Sequence, residues 1–321
     1  SDVYKRQIEP HHFYREVHRE LHYFVGIFFF GHNIFFLKDI HCGRGLRISI
    51  SLKELYKKGV AMWKQCANAF NLSPHASAIF RKNELELRVI DETGSTNTDC
   101  KTLIKQGIKF SHPEVLVAYR QVQGRGTRGH QWKSVDNALT FSVALTDLHV
   151  EPTMSLCVGV AVAKAIHELF NIALQLKWPN DLWYKNAKVG GILSEVIQEP
   201  TGKSALVVGI GLNLYVPERI QLEKWPLDGI FSHREDVVKQ NWDDAFCHIC
   251  QEVVQSIQNP RFSFTKEWPY YDAFRDAYLE IELPTGSITG YNRGIDASGR
   301  LLLETETTML GISDGSIVKV L

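Results

Sequence analysis

The feature that most constrains the fold is the glycine-rich loop at residues 124–129, which reads GRGTRG, together with the segments on either side of it. Before the loop, VLVAYRQ (115–121) has the apolar character of a strand. The loop fits G-x-G-x-x-G, but a dinucleotide-binding fold needs a helix directly after that pattern. The following HQWKSVDNALTFSVAL reads as a turn and a strand. We therefore expect a sheet with a ligand-wrapping loop, and not a dinucleotide oxidoreductase.

From residue 84 onward the chain alternates between strand and helix patterns. Strands are predicted at LELRVIDE, 115–121, 138–145, 174–178, 188–197 and 205–214. Helical spacing is predicted from Ser95 and over 153–170, 242–256 and 265–277. After residue 278, turn signals at 284–286, 296–299 and 314–315 separate short strands. The pattern predicts an α+β domain with a small all-β module appended to it.

Composition limits the class of protein. Hydrophobic residues make up 44% of the 321 residues and charged residues 22%, and 36 basic residues balance 36 acidic ones. This balance argues against a chain-wide attraction to nucleic acid or to anionic membranes. Six cysteines, only two of them close together, do not form a disulfide framework. We expect a reduced, cytoplasmic protein.

The beginning of the chain differs in composition from the rest. Residues 1–41 contain six of the thirteen histidines and seven of the seventeen phenylalanines. We interpret residues 1–85 as an N-terminal extension. Its first forty-five residues are a regulatory or targeting segment, an unstructured tail, or not native coding sequence. The apolar segment 23–37 is too short and interrupted to span a membrane. It is also followed by no signal-peptide cleavage site, so we expect no membrane attachment.

Charged residues and glycines recur at the ends of the predicted strands. Arg125 and Arg128 supply planar donors for carboxylate or phosphate within a loop that can approach a ligand closely. Lys188 begins KVGGIL, where bare glycines let a ligand reach the strand. The segments KWPND (177–181) and VGIGLNL (208–214) also place polar residues or glycines on or beside predicted strands. These residues predict a site for an anionic ligand.

Two further motifs are misleading. Residues 200–204 read PTGKS, but a phosphate-binding loop needs a glycine where Ile197 stands, so we expect a hairpin turn. The C-x-x-C at 247–250 lies in an amphipathic helix, and no second ligand pair is evident. We predict helix packing for these cysteines and no metal site.

Five motifs follow one another in order: GSTN (94–97), Q-x-x-GRGxRG-x-x-W (121–132), KWPND (177–181), K-x-GGIL-x-E (188–195) and GIGLN (209–213). In this order and spacing they resemble the catalytic core of biotin–protein ligase, or biotin–[acetyl-CoA-carboxylase] ligase. The resemblance implies an α+β fold with a mixed-sheet biotin/lipoate ligase-like core over residues 86–277. It also implies a small SH3-like β-barrel domain over residues 278–321.

The resemblance implies roles for individual residues. Two catalytic residues are implied, Lys188 and Arg125. The residues implied to bind biotin or its adenylate are Ser95, Thr96, Asn97, Gln121, Arg125, Gly126, Thr127, Arg128 and Lys188. Supporting roles for adenine and for site geometry fall to Trp132, Asn180, Asp181, Gly191 and Asn213. No residue is implied as a metal ligand.

The family's chemistry implies an ATP-dependent ligase that activates biotin as biotinyl-5'-AMP, with Mg²⁺, and transfers it to a lysine of a biotin carboxyl carrier protein. A homodimer is an open expectation, and nucleic-acid binding is not expected. One departure is Thr127, where many relatives carry a third arginine, which leaves less positive charge on the loop. The alternatives are a lipoate or octanoate ligase and a biotin-sensing transcriptional repressor.

Overall fold

The computed structural model describes residues 40–42, 46–48, 69–132, 135–148, 150–199, 203–222, 224–259 and 264–321. The chain divides into two compact units, residues 1–62 and residues 63–321. In the first unit, β1 (Ile40–Cys42) pairs antiparallel with β2 (Leu46–Ile48). The predictions for segment 23–37 and for the helix-like spacing between Leu52 and Ala67 lie outside the described residues.

A seven-stranded mixed sheet forms the centre of the second unit. Its strands are β3 (Glu86–Thr93), β4 (Glu114–Gln121), β5 (Asn137–Leu145), β6 (Gln175–Lys177), β7 (Asp181–Tyr184), β8 (Ala187–Gln198) and β9 (Ser204–Tyr215). Their order is β3-β4-β5-β9-β8-β7-β6. Only β3 and β4 pair in parallel, and the other neighbours are antiparallel. All nine residues of β5 are buried, as expected for a central strand covered on both faces.

Helices cover both faces of this sheet. They are α1 (Ala76–Lys82), α2 (Thr96–Lys105), α3 (Met154–Phe170), α4 (Arg234–Val238), α5 (Trp242–Gln258) and α6 (Phe264–Tyr271). One face, with Val117 and Phe141, packs in the large core that includes α3 and α5. The other face, with Leu116 and Ala144, packs against Ile104 of α2 in a smaller cluster. The alternation of buried side chains along the strands produces these two layers.

The compact unit begins before residue 86, the start suggested by the sequence for the catalytic core. Phe70 lies 5.7 Å from Phe246 of α5, between ring centroids, and Phe80 lies 5.4 Å from the same ring. Phe70 and Phe80 are both almost completely buried. Residues 69–85 therefore form part of the same hydrophobic core as the sheet.

A second sheet follows the central one in sequence. It comprises β10 (Tyr278–Leu283), β11 (Gly286–Ile295), β12 (Leu301–Glu304), β13 (Met309–Ile312) and β14 (Ser316–Val320). The order is β13-β12-β11-β10-β14, and every pairing is antiparallel. This five-stranded arrangement agrees with the predicted SH3-like module.

Side-chain donors from the central domain fix this sheet in place. The Trp178 indole donates to the Gly299 carbonyl at 3.0 Å, and the Trp225 indole donates to the Ile317 carbonyl at 3.1 Å. At Gly299, φ is +78° and an added Cβ would lie 2.8 Å from Leu156, so glycine is required for this approach. The contacts bring the start of β14 next to the glycine-rich loop.

Candidate functional site

The glycine-rich loop forms a small hairpin between β4 and β5. The Gly126 amide donates to the His130 carbonyl at 2.8 Å, and the Trp132 amide donates to the Gly124 carbonyl at 2.9 Å. A short 3₁₀ turn spans Thr127–Gly129. The element after the loop is β5 and not a helix, which confirms the argument against a dinucleotide fold.

Glycines on β9 make room for two side chains of the site. A Cβ at Gly211 would lie 2.6 Å from the ring of Trp132, and one at Gly209 would lie 2.3 Å from the amide oxygen of Asn97. Real Cβ contacts are not this short, so any larger residue would displace these groups. The absence of side chains at these two positions of β9 therefore lets Trp132 and Asn97 lie directly on the sheet.

One end of the site is a buried polar cluster at the start of α2. The Thr96 amide donates to the Gln121 side-chain oxygen at 2.9 Å. The Ser142 hydroxyl on β5 lies 2.7 Å from Thr96 Oγ1 and 2.6 Å from the Asn97 amide oxygen. Ser95 is buried beside them. This end presents neutral donors and acceptors that are held in fixed positions.

Glu195 of β8 holds this cluster in position through hydrogen bonds. It accepts hydrogen bonds from Asn97 at 2.9 Å and from Lys101 at 2.6 Å. Burial raises the pKa of Glu195, but the hydrogen bonds from Lys101 and Asn97 and the charges of Lys101 and Arg125 outweigh it, so the net pKa is lowered. Glu195 is therefore an ionised acceptor that orients the amide of Asn97.

The other end of the site is cationic. Asp181, at the start of β7, accepts from Lys177 at 2.7 Å and from Lys188 through its second oxygen. Burial raises the pKa of Asp181, but the charges and hydrogen bonds of the two lysines outweigh it and hold the pKa below its ordinary value. The Lys188 backbone is fixed by pairing with Pro226 and Asp228. Two ammonium groups around one carboxylate leave a net positive charge here.

A cavity of about 200 Å³ joins the two ends. The predicted site residues that line it are Ser95, Thr96, Asn97, Gln121, Arg125, Gly126, Thr127, Trp132, Asn180, Asp181, Lys188 and Gly191. Asn180 holds its position by donating to the Ile192 carbonyl at 2.8 Å. Five motifs that are distant in sequence thus meet at one cavity.

Two of the predicted residues lie outside the cavity wall. Arg128 adopts a left-handed conformation with φ of 55° and turns toward the second sheet. There it pairs with Asp314 and donates to the Gly315 carbonyl at 2.9 Å and to Ser316 Oγ at 3.0 Å. Asn213 is fully buried on β9 and donates to the Asp228 carbonyl at 3.3 Å.

Residues 89–213 match the model of the family described as biotin/lipoate A/B protein ligase. Over this central part, the chain is similar to the biotin/lipoate A/B protein ligase family. The match spans all five sequence motifs and confirms the resemblance inferred from them.

Named members of the family are similar over most of this chain. The chain is 28% identical over 246 residues to the biotin--[acetyl-CoA-carboxylase] ligase of Mycobacterium tuberculosis, covering 73% of this chain and 88% of that one. It is 26% identical to the bifunctional ligase/repressor BirA of Escherichia coli, covering 68% of each chain. The biotin protein ligase from Aquifex aeolicus in complex with biotin and ATP superposes with a TM-score of 0.58 at 26% identity, covering 72% and 96%.

Several residues of this ligase-family site were not predicted. Lys177 belongs to the quoted KWPND motif, but no role was predicted for it. Its pairing with Asp181 arises from the hairpin that β6 and β7 form, in which the two residues lie opposite each other. Glu195 ends the quoted K-x-GGIL-x-E motif, but no role was predicted for it, and Ser142 lies within a strand whose apolar character dominated the prediction. The available signal for Ser142 was the alternation of the polar residues Thr140 and Ser142 with apolar neighbours in β5.

The two misleading motifs have structural explanations. Gln198 pairs with Ser204 across the antiparallel β8 and β9, so strands flank PTGKS on both sides. Cys247 and Cys250 are buried in α5, and burial raises the pKa of Cys247 to about 11. Elsewhere on α3 and α5, Glu168, His248 and Glu252 converge, and Lys164 already pairs with Glu252 at 2.9 Å.

Within the described residues, no helix is long and apolar enough to cross a membrane.

Proposed function

We propose that this chain is an ATP-dependent ligase that activates biotin as biotinyl-5'-AMP and transfers it to a lysine of a biotin carboxyl carrier protein. The observation that carries the proposal is the division of one cavity into a neutral, hydrogen-bonding end and a cationic end. Biotin has the same division, since its ureido ring is neutral and polar and its side chain ends in a carboxylate.

The two ends orient the substrate. The ureido group binds beside Thr96, Asn97 and Gln121, where buried donors and acceptors are fixed in position. The valeryl chain then points toward Lys188, whose ammonium is partly exposed to the cavity. Arg125 of the loop lies on the same cavity and supplies a second cation. The carboxylate of biotin is thereby placed where ATP must also bind.

The first step forms an acyl-adenylate. A carboxylate oxygen of biotin attacks the α-phosphorus of ATP, the bond from that phosphorus to the β-phosphate oxygen breaks, and pyrophosphate leaves. Two anionic groups approach each other in this step. Fixed cations in a cavity shielded from water stabilise the added charge at the transition state. Lys188 and Arg125 fill this role.

The second step transfers the acyl group. The neutral amine of a carrier lysine attacks the carbonyl carbon of the mixed anhydride, an amide bond forms, and AMP leaves with the bonding electron pair. The hairpin loop covers the adenylate until the carrier arrives, which limits its hydrolysis by water. Gly126 and Thr127 form the part of the loop that faces the cavity.

An unpaired polar atom of a cavity-lining residue supports a nucleotide site in the cavity. Among the described residues, Trp132 Nε1 and the Asn213 side-chain oxygen are buried and have no hydrogen-bond partner. Buried polar groups are normally paired, because leaving one unpaired is unfavourable. Every second residue of a strand lies on the same face, so β9 places Gly209, Gly211 and Asn213 on one face. Trp132 covers this face at Gly211. An adenine ring in the cavity offers an acceptor for Trp132 Nε1, whereas Asn213 lies behind the cavity wall.

The residues that line the cavity do not form a protein site for Mg²⁺. Asp181 is the only carboxylate among the described lining residues, and each of its oxygens already accepts from a lysine. The donor set that Mg²⁺ prefers is oxygen, from carboxylates, water and substrate phosphates. Charge compensation in the cavity therefore comes from Lys177, Lys188 and Arg125.

The test is exchange of labelled pyrophosphate into ATP with biotin, lipoate or octanoate as the acid. Exchange only with biotin supports the proposal. Exchange with lipoate or octanoate instead would assign the chain to the lipoate branch of the family. Absence of exchange from folded protein with every acid would contradict a ligase, and a band shift with promoter DNA would then test the repressor alternative.

Further parts of the proposal concern the cell. The acceptor is a biotin carboxyl carrier protein, the location is the cytoplasm, and a homodimer is compatible with the open edge strand β3. The domain division predicted from the sequence, an extension (1–85), a ligase domain (86–277) and an SH3-like domain (278–321), also stays a proposal, although residues 69–85 pack in the core of the ligase domain. Mass spectrometry of a purified carrier domain after incubation with the enzyme, biotin and ATP tests the acceptor directly.

A further inference from the structure

The cationic end of the cavity contains two lysines that differ in their surroundings. Lys177 is 6% exposed and Lys188 is 30% exposed, and both bind Asp181, whose side chain is 10% exposed. The Lys177 ammonium also lies 5.9 Å from the centre of the Trp225 ring. Both lysines line the cavity, but Lys177 is almost completely buried, whereas Lys188 is partly exposed.

Lys188 has to leave Asp181 in order to bind a substrate anion with its full charge. Removing one partner of a buried ion pair leaves an uncompensated charge, which is strongly unfavourable. In this site the departure of Lys188 leaves Asp181 paired with Lys177 at 2.7 Å. The buried carboxylate therefore keeps a counter-charge in both states of Lys188.

Resting on the proposed function, we propose that Lys177 is a positioning residue. Its buried ammonium neutralises Asp181, so that Lys188 can exchange Asp181 for the carboxylate or phosphate oxygen of the reacting substrates. Lys177 acts through Asp181 and Lys188. Without Lys177, Lys188 is the only counter-charge of the carboxylate and stays bound to it.

The first variant is Lys177→Met, which keeps an unbranched side chain only one atom shorter and removes its charge. We expect kcat/KM for biotin-dependent pyrophosphate exchange to fall on the order of 10- to 100-fold, because releasing Lys188 would now expose a lone buried carboxylate. The fall should appear mainly in kcat, since Lys188 is held away from the reacting atoms in the bound complex.

The second variant, Lys177→Met with Asp181→Asn, decides between positioning and other roles. It removes the carboxylate that holds Lys188 and restores one net positive charge at this end of the cavity. We expect its kcat/KM to recover to within about fivefold of the wild type, as coupled neighbours depart from additivity. A direct contact of Lys177 with substrate, or a purely structural role, predicts no recovery.

A matched control is Lys164→Met on α3, since Lys164 also pairs with a carboxylate, Glu252, but lies outside the cavity. Its exchange rate should equal that of the wild type, and thermal unfolding of all variants verifies that they are folded. Wild-type activity of Lys177→Met, or a double variant no better than it, overturns the role of Lys177 while the proposed function stands. A wild-type chain with no biotin-dependent exchange overturns both.

Discussion

Each carboxylate in or next to the site pairs with at least one lysine, which determines what chemistry the site can perform. Asp181 is bound by Lys177 and Lys188, and Glu195 by Lys101 and Asn97. Neither carboxylate is free to act as a base, so the site offers positive charge and fixed hydrogen bonds. Positive charge and fixed hydrogen bonds favour a reaction between a carboxylate and a phosphate over a reaction that begins with proton abstraction.

Glu195 gives a prediction about pH. Because its pKa in the folded protein is lowered from the ordinary value of 4.5, its stabilising contribution is complete above that value and is lost as the pH falls through the folded pKa. We expect Glu195→Gln to lower the free energy of unfolding at pH 7, with a smaller difference from the wild type below pH 4.5. Urea unfolding at several pH values measures this, and a difference that grows on acidification would contradict it.

The sequence predicted most of the helices and strands because their hydrophobic periodicity is regular. The helix predicted over 153–170 is observed as α3, Met154–Phe170, and the one over 242–256 as α5, Trp242–Gln258. The helix predicted over 265–277 ends at Tyr271. Short elements such as α1, α4 and β7 were not predicted, since seven, five and four residues are too few to display a period.

The periodicity of α5 also determines how it stabilises the core. Phe246 on its buried face is completely inaccessible and packs edge-on against Phe141 at 4.9 Å between centroids. We expect Phe246→Ala to reduce the free energy of unfolding by about 3–5 kcal/mol, through lost burial and the cavity left behind. Denaturant unfolding measures the change.

The control for this prediction is Val238→Ala, since Val238 at the end of α4 is 61% exposed. Its effect should stay within about 0.5 kcal/mol of the wild type. Equal effects of the two substitutions would contradict the assignment of Phe246 to the core.

The relation between the two sheets could not be predicted from the sequence. Arg128 was assigned to the ligand because it lies in the glycine-rich loop, but its guanidinium binds the turn before β14, almost two hundred residues later. Ser316, at the start of that strand, lines the cavity. Such contacts depend on the docking of whole domains, which no local pattern encodes. The second sheet thus completes one wall of the site and restrains the loop.

This restraint predicts that Asp314→Ala loosens the loop without unfolding the protein. The Arg128–Asp314 pair is solvent-exposed, so its loss should change the free energy of unfolding by less than about 1 kcal/mol. Trypsin should nonetheless cleave after Arg125 and Arg128 faster than in the wild type, because the freed loop can enter the protease. Asp236→Ala, which breaks another exposed pair, is the control. Unchanged cleavage in Asp314→Ala would contradict the restraint.

The most direct test of the account is the rate of biotin-dependent pyrophosphate exchange in Lys188→Ala. The cationic end of the cavity is the feature that assigns adenylation to this site, and Lys188 is its most accessible ammonium. We predict a loss on the order of 10²–10³ in rate, the effect of removing one fixed electrostatic donor. Lys203→Ala, at a lysine that is 61% exposed outside the cavity, should exchange like the wild type. A Lys188→Ala enzyme that retains near-normal exchange would contradict the account.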